Sequence, residues 1–396
     1  MVQERFGHSL IHVKPNRATM TLRHPTIAEI DLAAFRQNLR LVRQRIGPHR
    51  ALLAVVKANA YGHGMIPISQ AALSENVQGL GVAFVEEGLQ LRRAGITEPI
   101  LVMAGFLPEE IEELLEHNLT PVISHPDQLD WLRRKTDPSA RAVGIHLKID
   151  TGMGRLGLLE KEIVPFIERA RASKGIEILG LMSHFADDDL TDRRSAEDQI
   201  ARFEKARKTI EALEIKIPLP HMANSAAILS LERAWYGMVR PGIMLYGYPP
   251  ACQPQAAIPL KPVMTLKTRI IHLKRVPAGT PVSYGRTYTT RRESLIAVLP
   301  IGYADGYSRV WSNRGQVLIG GRRAPVVGRV CMDMTLVDVT EIPTVRLGDE
   351  AVLIGSQGSE TLWADELARQ LDTIPYEILC AVSHRVPRIY RDGGVS

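Results

Sequence analysis

ALLAVVKANAYGHG, residues 51–64, opens on six apolar residues and then breaks, at Lys57, into small and polar ones. A near-continuous apolar run suits a strand of a parallel sheet, with helices over one face and packed side chains against the other. Seven further runs follow: GLGVAF (79–84), PILVMA (99–104), TPVIS (120–124), AVGIHLKI (142–149), EILGLMSH (177–184), LPHMA (219–223) and YGMVR (236–240). Each of the first seven runs leads through a turn into an amphipathic segment, such as Glu86 to Ala94 with Leu89, Leu91 and Ile96 near its apolar edge. Eight strands in this alternation predict an α/β fold, a (β/α)8 barrel of the TIM type. A doubly wound open sheet is the alternative, because alternation alone does not decide closure.

Upstream, HPTIAEIDL (24–32) reads as a strand, and Asp31 is placed to cap a helix with Leu32, Phe35, Leu39, Val42 and Ile46 on one face. Downstream, YPPACQPQAAIPLKP reads as a linker. Beyond it, short strands such as SLIAVLPIGY, GQVLIGG and DEAVLIG are joined by Gly, Pro and Asp turns, with no helical pattern between them. Helical segments over 363–371 and around 376–382 close the chain. The expected organisation is an N-terminal extension over 1–23, a barrel over 24–248, a linker over 249–262 and a mostly β C-terminal domain over 263–396.

With 45% hydrophobic and 23% charged residues, the chain can bury a large core. Its net charge of +6 is spread along the sequence and aromatic residues make up 5%, which argues against a nucleic-acid partner. Cys252, Cys331 and Cys380 are far apart and lack CxxC spacing, so neither a disulfide framework nor a zinc site is expected, and no metal. No apolar run reaches membrane-spanning length, and the N-terminus lacks the apolar stretch of a secretory signal. The expectation is a cytoplasmic protein with no membrane partner.

In such a barrel, functional groups stand at the C-terminal ends of the strands. Polar residues interrupt the pattern there repeatedly: Lys57 after the first run, then Lys148, Asp150 and Arg155 after the fifth. His184 ends the sixth, Asn224 and Ser225 follow the seventh, and Arg240 and Gly242 end the eighth. Taken singly, each has an ordinary reading as a solvated charge, a loop residue or a cap. Their joint placement on one face points to a site. The loops after strands seven and eight often bind phosphate in barrels, so Ser225, as a helix cap with a spare hydroxyl, and Gly242, as a place of close backbone approach, mark an anion site.

At AVVKANAYGHG (54–64) the chain resembles the alanine racemase family of fold-type III pyridoxal-phosphate enzymes. The likeness continues through KIDTGMGRLG (148–157), MSHFA (182–186), HMANS (221–225) and MVRPGIMLYG (238–247). In the second domain it includes VSYGRTY (282–288), LPIGYADG (299–306), GRVCMDM (328–334) and PYEILC (375–380). The resemblance implies a barrel followed by a β domain, pyridoxal 5'-phosphate as cofactor, a small amino acid as substrate, and a head-to-tail homodimer with shared active sites. It also implies D-alanine supply for cell-wall peptidoglycan.

Carried over residue by residue, Lys57 resembles the lysine that holds the cofactor as a Schiff base, and Tyr284 the opposing base, acting in the partner subunit's site. Arg155 resembles the residue that contacts the substrate carboxylate, His184 the neighbour of the cofactor ring, and Arg240 the arginine facing the pyridine nitrogen. Tyr61, Ser225, Gly242, Ile243 and Tyr376 resemble the phosphate-binding set, with Asn224 beside them. Met332, Asp333 and Tyr303 resemble substrate-access residues, and Lys148 matches a position that is often carbamylated.

The residue types suit racemisation. The α-carbon must lose a proton on one face and regain one on the other, which two opposed bases achieve without moving. A tyrosine with its usual pKa of about 10 needs cationic or hydrogen-bonding neighbours to serve. Arginine at the pyridine nitrogen donates a hydrogen bond but keeps its proton. Three other readings compete. A non-catalytic cofactor-binding barrel would lack the second domain with Tyr284. A decarboxylase on the same fold would present its cysteine in a setting other than RVCMDM. A serine or broad-range racemase sits less well with the bulky Tyr303 and Tyr376.

Overall fold

The computed structural model describes residues 24–137, 139, 142–187, 193–250 and 258–393. The expected extension over 1–23, and residues 251–257 of the linker with Cys252, lie outside the described residues.

A first strand, β1 (Ile27–Asp31), leads into helix α1 (Leu32–Ile46). Asp31 is the cap that its sequence position suggests, its carboxylate accepting from the Ala34 N–H at 2.9 Å. The helix buries Phe35, Leu39, Val42 and Ile46. Its one buried amide, Asn38, donates to the Leu245 and Lys261 carbonyls and accepts from Lys261 N–H, so no polar atom is stranded there.

The eight apolar runs become eight parallel strands: β2 (Ala51–Val55), β3 (Gly79–Val82), β4 (Ile100–Val102), β5 (Thr120–Ile123), β6 (Val143–Lys148), β7 (Ile176–Met182), β8 (Leu219–His221) and β9 (Met238–Val239). Their order around the sheet is β8-β7-β6-β5-β4-β3-β2-β9. Between β8 and β9 the seam is bridged by Gly237 N–H to Pro220 O (3.0 Å) and Arg240 N–H to Ala223 O (2.9 Å). The barrel is therefore closed, and the open doubly wound alternative falls away.

Leu53, Leu101, Val122, Met182 and Met238, from five different strands, form a core cluster of their own, apart from the main one. The helices between the strands are α2 (Met65–Leu73), α3 (Val85–Arg93), α4 (Ile111–Glu116), α5 (Pro126–Lys135), α6 (Glu160–Arg171), α7 (Arg193–Ala212) and α8 (Ser225–Ser230).

The remaining strands are β10 (Met264–Arg269), β11 (His272–Val276), β12 (Pro281–Val282), β13 (Tyr288–Thr289), β14 (Ser294–Leu299), β15 (Gln316–Ile319), β16 (Arg322–Pro325), β17 (Thr335–Asp338), β18 (Glu350–Gln357), β19 (Glu360–Leu362) and β20 (Arg388–Arg391), with helices α9 (Ala364–Leu371) and α10 (Pro375–Ala381). The largest sheet of this part runs β16-β15-β18-β10-β1-β20, and β19 pairs with β18.

The expected barrel range of 24–248 includes residues 24–31, yet β1 lies antiparallel to β10 and parallel to β20. The closed barrel offers no free sheet edge, so this strand satisfies its backbone groups in the other sheet. The polypeptide thus begins and ends its described course in the C-terminal domain's sheet.

Candidate active site

The chain leaves β2 through an unusual turn. Ala58, Asn59, Ala60 and Tyr61 have φ of 53°, 53°, 53° and 52°, a left-handed turn made without glycine. L-residues there cost roughly 1–2 kcal/mol each. The turn is held by Ala60 N–H to Val56 O (2.8 Å), Gly62 N–H to Ala58 O (3.0 Å) and Gly64 N–H to Asn59 O (2.9 Å). Glu87 on α3 adds two anchors, accepting from Ala58 N–H and Ala83 N–H, both at 2.7 Å. Gly62 has φ +82°, and a Cβ there would lie 2.3 Å from the Leu379 carbonyl of α10. Only glycine lets that helix press against the turn.

Lys57 stands at the mouth of this turn, half-buried. Burial first, then the charge of Arg155, lowers its ammonium pKa, with Glu87 and Cys380 opposing. Lys148, buried at the end of β6, is lowered to about 8 by burial and by Arg240, Arg155 and Lys57. Arg155 is exposed on the loop after β6, within electrostatic range of both lysines and His184.

Arg240 is buried after β9. It donates to His221 Nδ1 (2.8 Å), Ser183 O (2.8 Å), His184 Nδ1 (3.1 Å) and Met222 O (3.1 Å). Among the described residues no carboxylate pairs with it; burial lowers it to about 9, so it keeps its proton near neutral pH.

A guanidinium can only donate. His221 therefore accepts at Nδ1 and carries its proton on Nε2, which donates to His146 Nδ1 at 2.8 Å. By the same logic His184 accepts from Arg240 and holds its proton on Nε2. Burial and Arg240 push His146 down to about 4 and His221 and His184 well below the usual imidazole range, so all three are neutral. Room for this relay comes from Gly180 on β7, where a Cβ would fall 2.3 Å from His146 Nδ1. Sequence reading missed His146 and His221. The signal was the polar pair His146 and Lys148 at alternate positions of an apolar strand, which share one face.

At the seam after β8 and β9 the expected cap is corrected. Asn224, not Ser225, caps α8, its Oδ1 accepting from Ala227 N–H at 3.0 Å. Ser225 Oγ instead accepts from Gly242 N–H at 3.0 Å. That leaves the hydroxyl hydrogen free to donate to an anion. Ile243 is fully buried beside Gly242. A Cβ on Gly242 would meet Tyr61 Oη at 2.5 Å, and the Tyr61 ring lies 5.6 Å from that of Tyr376 on α10. The structure thus brings Lys57, Tyr61, Lys148, Arg155, His184, Ser225, Arg240, Gly242 and Tyr376 to the C-terminal face of one barrel.

Tyr284, Tyr303, Met332 and Asp333 are not among them. They line a cleft of about 700 Å³ in the C-terminal domain, with Arg309 and Arg329, and none of the described barrel residues contributes to its lining. Tyr284 is 72% exposed and Met332 53%.

A parallel barrel with a cationic strand-end site, joined to a β domain carrying an exposed tyrosine cleft, defines a class of two-domain barrel enzymes. Two family models match the chain: the alanine racemase N-terminal domain over residues 30–250 and the alanine racemase C-terminal domain over 263–390. An alanine racemase of Halothermothrix orenii is 46% identical over 368 residues, 93% of this chain and 97% of that one. One of Carboxydothermus hydrogenoformans is 46% identical over 92% of this chain and 99% of its own. A crystal structure of alanine racemase from Bacillus anthracis with bound L-Ala-P superposes with a TM-score of 0.89 at 36% identity, covering 94% of this chain and 96% of that one. The chain belongs to the alanine racemase family.

Proposed function

We propose that this enzyme interconverts L-alanine and D-alanine with pyridoxal 5'-phosphate as cofactor, in a homodimer whose two sites each draw on both subunits. The observation that carries the reading is the excess of positive charge at the barrel mouth. Lys57, Lys148, Arg155 and Arg240 converge there, and none has an ion pair to a carboxylate among the described residues. Lys148 and Arg240 are buried, and buried cations without a carboxylate partner are costly unless an anion joins them. A ligand with a phosphate, a phenolic oxygen and, in turn, a substrate carboxylate suits that need.

The residues present fit the cofactor. Ser225 has a free hydroxyl hydrogen, Gly242 and Ile243 offer close backbone, and Tyr61 and Tyr376 close the same corner, with Asn224 fixing the helix that carries Ser225. We assign Tyr61, Ser225, Gly242, Ile243 and Tyr376 to the phosphate, and Asn224 to the cofactor site through the helix that it caps. When bound, pyridoxal phosphate supplies an electron sink that makes the α-proton of an amino acid removable near neutral pH. Arg240 would face the pyridine nitrogen as a hydrogen-bond donor that keeps its own proton, and His184 would stand beside the ring.

Arg155 orients the substrate carboxylate. Lys57 Nζ holds or releases a proton on one face of the α-carbon, and Tyr284 of the partner subunit does so on the other. Tyr303, Met332 and Asp333 shape the access route, and the bulk of Tyr303 and Tyr376 favours a side chain as small as a methyl. Lys148, lowered to about 8, has an appreciable neutral amine to react with carbon dioxide. The resulting carbamate would put a negative charge beside Arg155.

This reading divides the chain into a barrel over 24–248, apart from β1, a linker over 249–262 and a β domain over 263–396. We place the enzyme in the cytoplasm, supplying D-alanine to peptidoglycan; no helix among the described residues is long and apolar enough to cross a membrane. Two variants test the roles. Lys57→Ala loses both the cofactor's imine absorbance and racemisation, whereas Tyr284→Phe keeps the absorbance and loses at least about a hundredfold in turnover. Full activity in either variant overturns the assignment.

A further inference from the structure

The access cleft is held in shape by a residue outside it. Asp305 is buried in the turn that follows Tyr303, one carboxylate oxygen accepting from Gly302 N–H at 2.9 Å. Its other oxygen faces Arg385 Nε at 3.5 Å. The same guanidinium donates from its far end to Asp333 at 2.8 Å. Arg309 and Arg329 line the cleft, yet Asp333's ion pair among the described residues is with Arg385. One side chain therefore bridges the two loops that carry the access residues.

Those loops are already tied to each other. Tyr303 N–H donates to Cys331 O (3.0 Å) and Ala304 N–H to Met332 O (3.1 Å). They are so close at Gly302 that a Cβ there would sit 2.3 Å from both the Cys331 and Met332 carbonyls. A shift of Asp333 or Asp305 must therefore move Tyr303 and Met332 as well.

Arg385 itself stands on a firm base. Ser383 N–H donates to Asp305 O (3.0 Å). Arg388 gathers the segment by donating to the Val382 (2.6 Å) and Val386 (2.7 Å) carbonyls, and it reaches Gly62 O at 3.0 Å. The brace thus extends from the turn that presents Lys57, along the segment after Tyr376, to the cleft that carries Tyr284.

We propose that Arg385 is a positioning residue for substrate. By bridging Asp305 and Asp333 it fixes where Tyr303 and Met332 stand, and so sets alanine binding and the rejection of side chains larger than a methyl. This rests on the reading of the cleft as the part of the site offered to the partner subunit. Buried Asp305 needs a cation for its charge, and a planar guanidinium reaches two carboxylates at once where an ammonium is a single point.

The test compares Arg385→Gln and Arg385→Lys with the unmodified holoenzyme, using L-alanine and L-serine. For Arg385→Gln the KM for alanine rises about tenfold while kcat stays within about twofold, and the preference for alanine over serine in kcat/KM falls about tenfold. Arg385→Lys recovers part of both. In an Asp333→Asn background the effect of Arg385→Gln shrinks, because the two residues act as a unit. Unchanged KM and preference overturn the proposal. So does a joint loss of melting temperature and kcat with no change in preference and no recovery by lysine, which marks a merely structural residue. Failure of the underlying reading shows separately: the unmodified enzyme would then not racemise alanine, or Tyr284→Phe would retain turnover.

Discussion

Arg240 sets the protonation of its surroundings because it can donate and never accept. Its bonds to His221 and His184 fix one tautomer for each ring, and His221 passes the direction on to His146. Their neutrality has a consequence for stability. His146 and His63 are each lowered to about 4, mainly by burial, while the unfolded chain titrates near the usual value of 6.5. Between those values the unfolded state binds more protons, so the stability present above about pH 6.5 is lost as pH falls toward about 4. Each ring adds a slope of up to about 1.4 kcal/mol per pH unit. Urea midpoints taken from about pH 7 down to about pH 5 therefore decline, and His146→Gln flattens part of that decline. Equal slopes in the two proteins would contradict a neutral, buried His146.

At the scale of elements, the left-handed turn over Ala58–Tyr61 shows local preference overruled by surroundings. Each residue has a Cβ that disfavours φ near 53°, yet Glu87, Asn59 and the tight fit of Gly62 under α10 hold it. Ala58 is exposed, so Ala58→Gly relieves strain without opening a cavity. After the entropic cost of glycine in the unfolded chain, stability rises by about 0.5–1 kcal/mol. Denaturation at fixed protein concentration checks this, and a loss of stability would count against it.

The same turn shows where sequence reading stops. Apolar runs and the residues that break them made all eight barrel strands legible, along with the Asp31 cap and the strand-end positions of Lys57, Lys148, His184 and Arg240. These features depend on local pattern. A left-handed turn lacking glycine, the exchange of roles between Asn224 and Ser225, and the pairing of β1 with β10 and β20 depend on groups brought close only by folding. His146 and His221 were hidden for the same reason: one is in β6 and the other in β8, and only the closed barrel joins them to Arg240.

For the whole molecule, the two halves of the proposed site lie apart within one chain. Lys57 is at the barrel mouth, and Tyr284 projects from a cleft to which none of the described barrel residues contributes. If a second subunit joins them, two inactive variants complement each other. Mixing and reassembling Lys57→Ala with Tyr284→Phe gives mixed dimers with one intact site each, and activity returns to about a quarter of the unmodified level. No recovery, with mixed dimers verified, would place both residues of each site in a single chain. Racemisation of alanine by two opposed bases leaves an isotopic signature in the product. The most direct measurement incubates the holoenzyme with L-alanine in deuterated water and follows chirality and α-deuterium together at early times. Two opposed bases give D-alanine that carries deuterium at the α-carbon while the remaining L-alanine is still largely protiated. Exchange with retention of the L configuration, or no D-alanine at all, would contradict the two-base reading.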